Sequence, residues 1–292
     1  MIDEIDEIHE IEQHHETTTA DMSVSLELIR RLTNDVRNAA QTLRPQEVRY
    51  LVDLYYAMQE QRIRAHAQLR AANESEEPNA LVTWMAGNYA ILEQDVRRAM
   101  HAYAKSRIEG QWALSIVGIG PVLAAGLLAH IDITRAPAPS HLWSYAGLNP
   151  AAQWNRGEKR PWNADLKRLC WLIGQSFVKS SGSKNSQYGP IYRARKAYET
   201  AKNAQGDYAE QAGAILANKR IGKETVAYGE YSQGRLPAAQ IQQRAERYTV
   251  KMFLSHLHQV LYETHYQRSA PDVWAIAHGG HVDRVPCPNW PL

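Results

Sequence analysis

From residue 23 onward, apolar side chains recur three and four positions apart, the spacing that lines one face of a helix. Leu26, Ile29, Leu32, Val36, Ala39, Ala40 and Leu43 predict a helix over 23–43. A second opens at Pro45, a first-turn proline, and carries Val48, Leu51, Val52, Tyr55 and Met58 toward residue 72. After a polar break at 73–78, Leu81, Trp84, Met85, Ile91, Leu92, Val96, Met100 and Tyr103 predict a third over 79–107. No part of the first 110 residues reads as alternating or β-branched strands, which excludes a parallel-sheet catalytic domain there. Shorter helices follow over 140–146, with Gly147 at its C′ position, and over 165–179 and 191–203. The stretch 206–236, rich in Gly, Tyr and small residues, predicts a short helix and an exposed connection. Ile241, Tyr248, Val250, Met252, Phe253, Leu257 and Leu261 predict a long helix over 237–266, and four prolines from Pro271 to Pro291 an irregular end. The fold class is all-α.

The run from Trp112 to Ala129 has the layout of a helix-hairpin-helix, a motif that grips nucleic-acid backbone. Leu114, Ile116 and Val117 close a short first helix, Gly118-Ile119-Gly120 makes the hairpin, and Pro121 opens a second helix where its missing N–H costs nothing. Two glycines allow positive φ and let a phosphate approach the hairpin amides and the positive end of the helix dipole. Ala124, Ala125 and Gly126 suit close packing on a partner helix. An ordinary glycine turn between packed helices fits the same letters.

Charge sharpens this picture. The formal net charge is only +2, but residues 1–16 hold seven acidic residues and no Lys or Arg, so the remainder carries an excess of nine positive charges. Within it, residues 156–196 contain ten Lys or Arg against Glu158 and Asp165, a surface fit for a polyanion. Trp154, Trp162, Trp171, Tyr188 and Tyr192 interleave with these cations as candidates for base stacking. The acidic arm at 1–20, with Ile2, Ile5, Ile8 and Ile11 every third residue, reads as a solvated tail. Only Cys170 and Cys287 are present, without C-x-x-C spacing, so neither a disulfide framework nor a zinc ribbon is expected. His278, His281, Asp283 and Cys287 lack a framework that would fix them around a metal. His256 and His258, two apart, do not make a helical metal pair, so no metal or cofactor is expected. An acidic start and no apolar run near 18 residues point to the cytoplasm and away from a membrane.

The hairpin together with His130-Ile-Asp-Ile-Thr-Arg135 and Leu142-Trp-Ser-Tyr-Ala-Gly-Leu-Asn-Pro150 resembles the C-terminal domain of the insertion-sequence transposases of the one-ten and one-sixteen group. Gly157-Glu158-Lys159, the Lys167-Arg168 pair, the stretch 188–196 and Arg244-Ala-Glu-Arg-Tyr-Thr-Val-Lys251 extend the likeness, as does the helix at 79–107. The resemblance covers roughly 80–200 and 237–266. With the helices read above, the chain divides into an arm (1–20), a helical region (21–110), a hairpin and basic region (111–200), a segment that looks like an insertion in the resemblance (201–236), a long helix (237–268) and a tail (269–292). The resemblance implies a domain that binds DNA and guide RNA and supplies a serine nucleophile, beside a RuvC-like domain that supplies four acidic metal ligands. Where the serine belongs, this chain reads Gln153-Trp154-Asn155-Arg156, and neither Asn nor Arg forms a phosphoester. The acidic arm has no strands to hold metal ligands. Ser180, Ser181 and Ser183, in a loop flanked by Lys179 and Lys184, are the remaining nucleophile candidates, though Ser-Gly clusters usually mark linkers.

The expected function is therefore binding of nucleic-acid backbone, without strand transfer by the chain alone. DNA is the expected partner and RNA the alternative. The contacts would come from Gly118, Ile119, Gly120 and Val122 through the hairpin, and from the cations Arg156, Lys159, Arg160, Lys167, Arg168 and Lys184. Two other readings stand beside it. One is an active recombinase using a displaced serine or a partner's catalytic domain, and the other is a helical oligomerisation protein, for which the long helices make a homodimer the natural assembly.

Overall fold

A computed structural model describes residues 38–74, 80–273, 276, 279 and 285–292. The acidic arm, most of the helix expected over 23–43, and His278, His281 and Asp283 lie outside the described residues. All the regular structure among those described is helical, and the chain divides into two compact units, with the boundary in the sequence between Arg107 and Ile108. No described helix is long and apolar enough to cross a membrane.

The first unit contains α1 (Pro45–Glu74) and α2 (Ala80–Lys105). Pro45 opens α1 as its spacing predicts, and Glu47 reaches back to accept the Arg44 amide at 2.7 Å, satisfying a donor that the helix itself leaves open. Arg62 meets Glu93 at 2.8 Å while Arg107 reaches the Gln41 carbonyl, so the two helices run antiparallel.

The second unit is built around the last long helix. Its elements are α3 (Ile108–Ser115), α4 (Pro121–His130), a 3-10 turn (Ile133–Arg135), α5 (Pro139–Tyr145), α6 (Ala164–Lys179), α7 (Gly189–Ala204), α8 (Ala209–Asn218), α9 (Val226–Ser232) and α10 (Ala238–Tyr266). Helix α10 buries Ile241, Ala245, Val250, Phe253, Leu254, Leu257 and Val260, positions whose three-and-four spacing turns one face inward. Phe253 stacks on Trp112 of α3, with ring centroids 5.7 Å apart, and meets Phe177 and Tyr188 edge-on at 5.5 Å. Trp112 donates its indole N–H to the Pro288 carbonyl, and Trp290 donates to Glu263, which ties the chain end to this core. Gly126 explains the small residues of α4: a Cβ there would stand 2.8 Å from Leu169 Cδ1 of α6. His256 and His258 are buried, the first between the Tyr188 hydroxyl and the Val285 carbonyl, the second on the Ala136 carbonyl. Burial pushes both imidazoles below their ordinary pKa.

Two expectations are corrected. Helix α3 stops at Ser115, so Ile116 and Val117 belong to the following turn and do not close the helix. The stretch 206–236 is not an exposed connection: α8 and α9 close a small core of Tyr208, Ala212, Tyr231 and Leu236 against Ile241.

Candidate nucleic-acid interface

The turn between α3 and α4 spends some of its backbone groups and leaves others open. Ile116 donates to the Ala113 carbonyl, Ile119 donates to the Ile116 carbonyl at 2.9 Å, and Val117 donates to the Gln187 side chain at 3.1 Å. Gly118 takes φ +99°, its carbonyl accepts Ser176 Oγ at 2.6 Å, and a Cβ on it would sit 3.1 Å from the hydroxyls of Ser176 and Ser180. This glycine is required both by conformation and by the close approach of α6. Gly120 is different. It is the N-cap of α4 at φ −88°, ψ 175°, an extended conformation open to any residue, and no atom lies within 4 Å of its missing Cβ. The expectation of positive φ therefore holds at Gly118 and fails at Gly120.

What Gly120 leaves is a bare helix start. No side chain caps α4, Pro121 has no N–H, and among the described residues the amides of Gly120, Val122 and Leu123 have no hydrogen-bond partner. Ile119 is 4% and Val122 6% exposed, so their side chains pack inward. The Ile119 amide is committed within the turn, which leaves Val122 to contribute through its amide alone.

The basic loop is shaped by a glycine of the second kind of necessity. After α5, Gly147 sits at C′ with φ +66°, its amide donating to the Ser144 carbonyl at 3.0 Å and the Leu148 amide to the Trp143 carbonyl at 2.8 Å. This paired ending closes the helix carbonyls and turns the chain. Trp162 packs on the glycine face, and Lys167 lies 4.1 Å over the Trp162 ring. Asn163 links three elements: its amide donates to the Tyr145 carbonyl at 2.9 Å, its side-chain N–H to the Tyr145 hydroxyl, and its Oδ1 caps the Leu166 amide of α6 at 2.7 Å. Within the loop Glu158 accepts from the Asn155 amide and side chain, and its own carbonyl accepts from Trp154 Nε1. Asn155, within the stretch 153–156 where the resemblance puts a serine, thus braces the loop. Arg156, Lys159, Arg160, Lys167 and Arg168 are all exposed, and an open concavity lies over Tyr145, Lys159, Arg160, Pro161, Trp162 and Asn163.

These two patches do not coincide. The turn abuts Ser176, Phe177 and Ser180, at the C-terminal end of α6, whereas the basic loop leads into its N-terminus at Asn163. About thirteen residues, from Asn163 to Ser176, at 1.5 Å each separate them by about 20 Å. The cations at that end of α6 are instead Lys179, its last residue, and Lys184 in the loop that follows, both exposed. In that loop Ser180 Oγ donates to the Ser176 carbonyl at 2.9 Å, the Ser181 carbonyl accepts from Arg193, and Ser183 is exposed. None of the three hydroxyls is hydrogen-bonded to an imidazole or a carboxylate among the described residues. Of the aromatic candidates, Tyr188 and Tyr192 are buried and belong to the core, while Trp154 and Trp171 are exposed. Asn163 had no sequence signal beyond its position before a helix. Among the described residues no group of His, Cys, Asp and Glu is placed to hold a metal ion.

Residues 110–164 match the family model described as Transposase IS116/IS110/IS902 family. The match runs from α3 through the turn, α4, α5 and the basic loop to the first residue of α6. The helix at 79–107 and the segments 188–196 and 244–251 lie outside it. No curated protein and no solved structure matches the chain.

Proposed function

We propose that this transposase-like protein holds nucleic-acid backbone, DNA first of all, through the helix-hairpin-helix at 112–129 and the basic loop at 154–163, and performs no strand transfer by itself. The observation that carries the reading is the uncapped start of α4, where among the described residues the amides of Gly120, Val122 and Leu123 have no hydrogen-bond partner at the positive end of the helix and no atom lies within 4 Å of the missing Gly120 Cβ. Arg156, Lys159, Arg160, Lys167 and Arg168 supply the second hold. A separation of about 20 Å fits about six phosphates along one strand, at 3.4 Å per base. The stretch Gln153-Trp154-Asn155-Arg156, without a serine where the resemblance puts one, supports binding without a covalent intermediate.

A phosphate gripped at these two places predicts binding that falls by about two to three orders of magnitude between 50 and 200 mM salt for five or so contacts. Fluorescence anisotropy on a duplex, a single strand and an RNA of equal length reads this directly. Gly120→Asp separates binding from packing. Gly120 already has the extended conformation of an N-cap, so aspartate caps the open amides and leaves the fold a few tenths of a kcal/mol more stable. The same carboxylate occupies the phosphate's place, and affinity drops at least tenfold. Salt-independent binding, or wild-type affinity in Gly120→Asp, contradicts the proposal. Loss of folding or of assembly in that variant favours the oligomerisation reading.

A further inference from the structure

The opening of α10, Arg244-Ala-Glu-Arg-Tyr-Thr-Val-Lys251, carries charges that the turn and the loop do not use. Arg244 is committed: its Nε donates to Glu199 at 2.6 Å, and its guanidinium lies 4.4 Å from the Tyr208 ring centroid. Arg247 and Lys251 are one turn apart on the same face, the first exposed and the second half-buried. Neither makes an ion pair or a side-chain hydrogen bond among the described residues. Lys251 lies 5.4 Å from the Trp143 ring, and Trp143 donates its indole N–H to the Lys251 carbonyl, which fixes α5 against this part of α10.

This part of α10 packs on both α6 and α5: Gln175 of α6 donates to Glu246 at 2.9 Å, and Trp143 of α5 donates to the Lys251 carbonyl at 3.1 Å. Lys167 is held below the ordinary lysine range by burial and then by the nearby charges of Arg160 and Arg247; Lys251 is lowered by burial and then by Arg247. Arg247 is lowered by burial and by Arg244, with Glu199 and Glu246 opposing. Those two carboxylates are engaged elsewhere. Glu246 accepts from Gln175 and Gln242, each at 2.9 Å, and Glu199 from Arg195, Arg244 and Tyr208. Lys167 thus has Arg160 and Arg247 as like-charged neighbours and Lys251 has Arg247, with Trp154 beside Arg160, Trp162 beside Lys167 and Trp143 beside Lys251. Like charges so placed disfavour one another's charged forms, and a chain of anions relieves every one of them.

We propose that Arg247 and Lys251, with Lys167, form a phosphodiester-binding groove that continues the path of the nucleic-acid backbone from the 154–163 loop onto α10. The inference rests on the backbone-binding reading above and adds two residues and a direction to it. It is tested with Arg247→Ala/Lys251→Ala on the same duplex and salt series. Each lost phosphate contact lowers the salt slope by about 0.9, so the double variant loses about 1.8 in slope and one to two orders of magnitude in affinity at 100 mM salt. Its melting temperature stays level or rises, because repelling charges have gone. Arg247→Lys/Lys251→Arg keeps the slope. If wild-type protein binds and Lys159→Glu/Arg160→Glu weakens it while the alanine pair leaves the slope unchanged, the groove is overturned and the parent reading stands. If wild-type protein binds none of duplex, single strand and RNA, both fall. Tripolyphosphate that displaces the duplex from wild-type protein at an equal phosphate concentration assigns the site to free phosphates and overturns the proposal.

Discussion

Replacing Glu199 by alanine destabilises the second unit by about 3 kcal/mol, the low end of the 3–5 kcal/mol that follows loss of one partner from a buried ionic network. Glu199, on α7, is 1% exposed. One carboxylate oxygen takes Arg195 at 2.6 Å and the other takes Arg244 of α10 at 2.6 Å and the Tyr208 hydroxyl. Burial alone pushes this carboxyl up, but hydrogen bonds from Tyr208, Arg244 and Arg195 outweigh it and hold the group below the usual carboxylate range, ionised. Without it, two guanidinium groups face each other with no anion between them and the phenol loses its acceptor. Both arginines keep some contact with water, which is why the low end applies. The loss also loosens the joint between α7, α10 and the residue that leads into α8, so α8 and α9 open first. Glu199→Gln, which keeps an acceptor but no charge, falls between the two. Urea unfolding followed by near-ultraviolet circular dichroism measures the difference; a loss under 1 kcal/mol for Glu199→Ala contradicts this account of the network.

Gly147→Ala costs about 2–5 kcal/mol, combining about 1–2 kcal/mol for a side chain in the left-handed conformation with about 1–3 kcal/mol for overpacking. The added Cβ would stand 2.8 Å from Trp162 Cγ and 3.0 Å from Lys167 Cδ, on a residue held at φ +66° by the ending of α5. Trp162 has to shift, and Lys167, which rides on its ring, shifts with it. The variant therefore loses stability in the melting curve and at the same time weakens nucleic-acid binding at low salt. An unchanged melting temperature would show that Trp162 yields freely and that the Tyr-Ala-Gly-Leu element does not set the loop's shape.

Both glycines of the hairpin and the one after α5 stand out in the sequence, but their work differs. Pro121 and Gly147 were legible because first-turn proline and C′ glycine follow local backbone rules that need no tertiary partner. Gly120 was not, because a Gly-x-Gly pair says where Cβ atoms are missing and leaves open which glycine uses the freedom. The close approach at Gly118 depends on Ser176 and Ser180, nearly sixty residues away, and no local pattern contains it. Ile119 and Val122 turn inward for a similar reason: a short turn has too few residues for periodicity to assign a face. Tyr188 and Tyr192 lie near cations in sequence, yet they are one helical turn apart, at the start of α7, and both rings are core. Tyr208, Ala212, Tyr231 and Leu236 form their small core only with Ile241 across an intervening connection, so 206–236 looked open. The basic loop and the hairpin, near in sequence, are separated by α6, a length that only the folded chain reveals. The segment 244–251 was prominent as a likeness, while the unpaired charges on Arg247 and Lys251 became visible only once Glu199 and Glu246 had found other partners.

Backbone amide signals recorded by nuclear magnetic resonance while a short duplex is added test the central claim most directly. The account predicts that the amides of Gly120, Val122 and Leu123 shift and become protected from exchange, while Val117 and Ile119, already bonded to Gln187 and Ile116, change little. Binding that leaves Gly120, Val122 and Leu123 unmoved, with all changes confined to other surfaces, would contradict it and reduce the α3–α4 turn to a packing device.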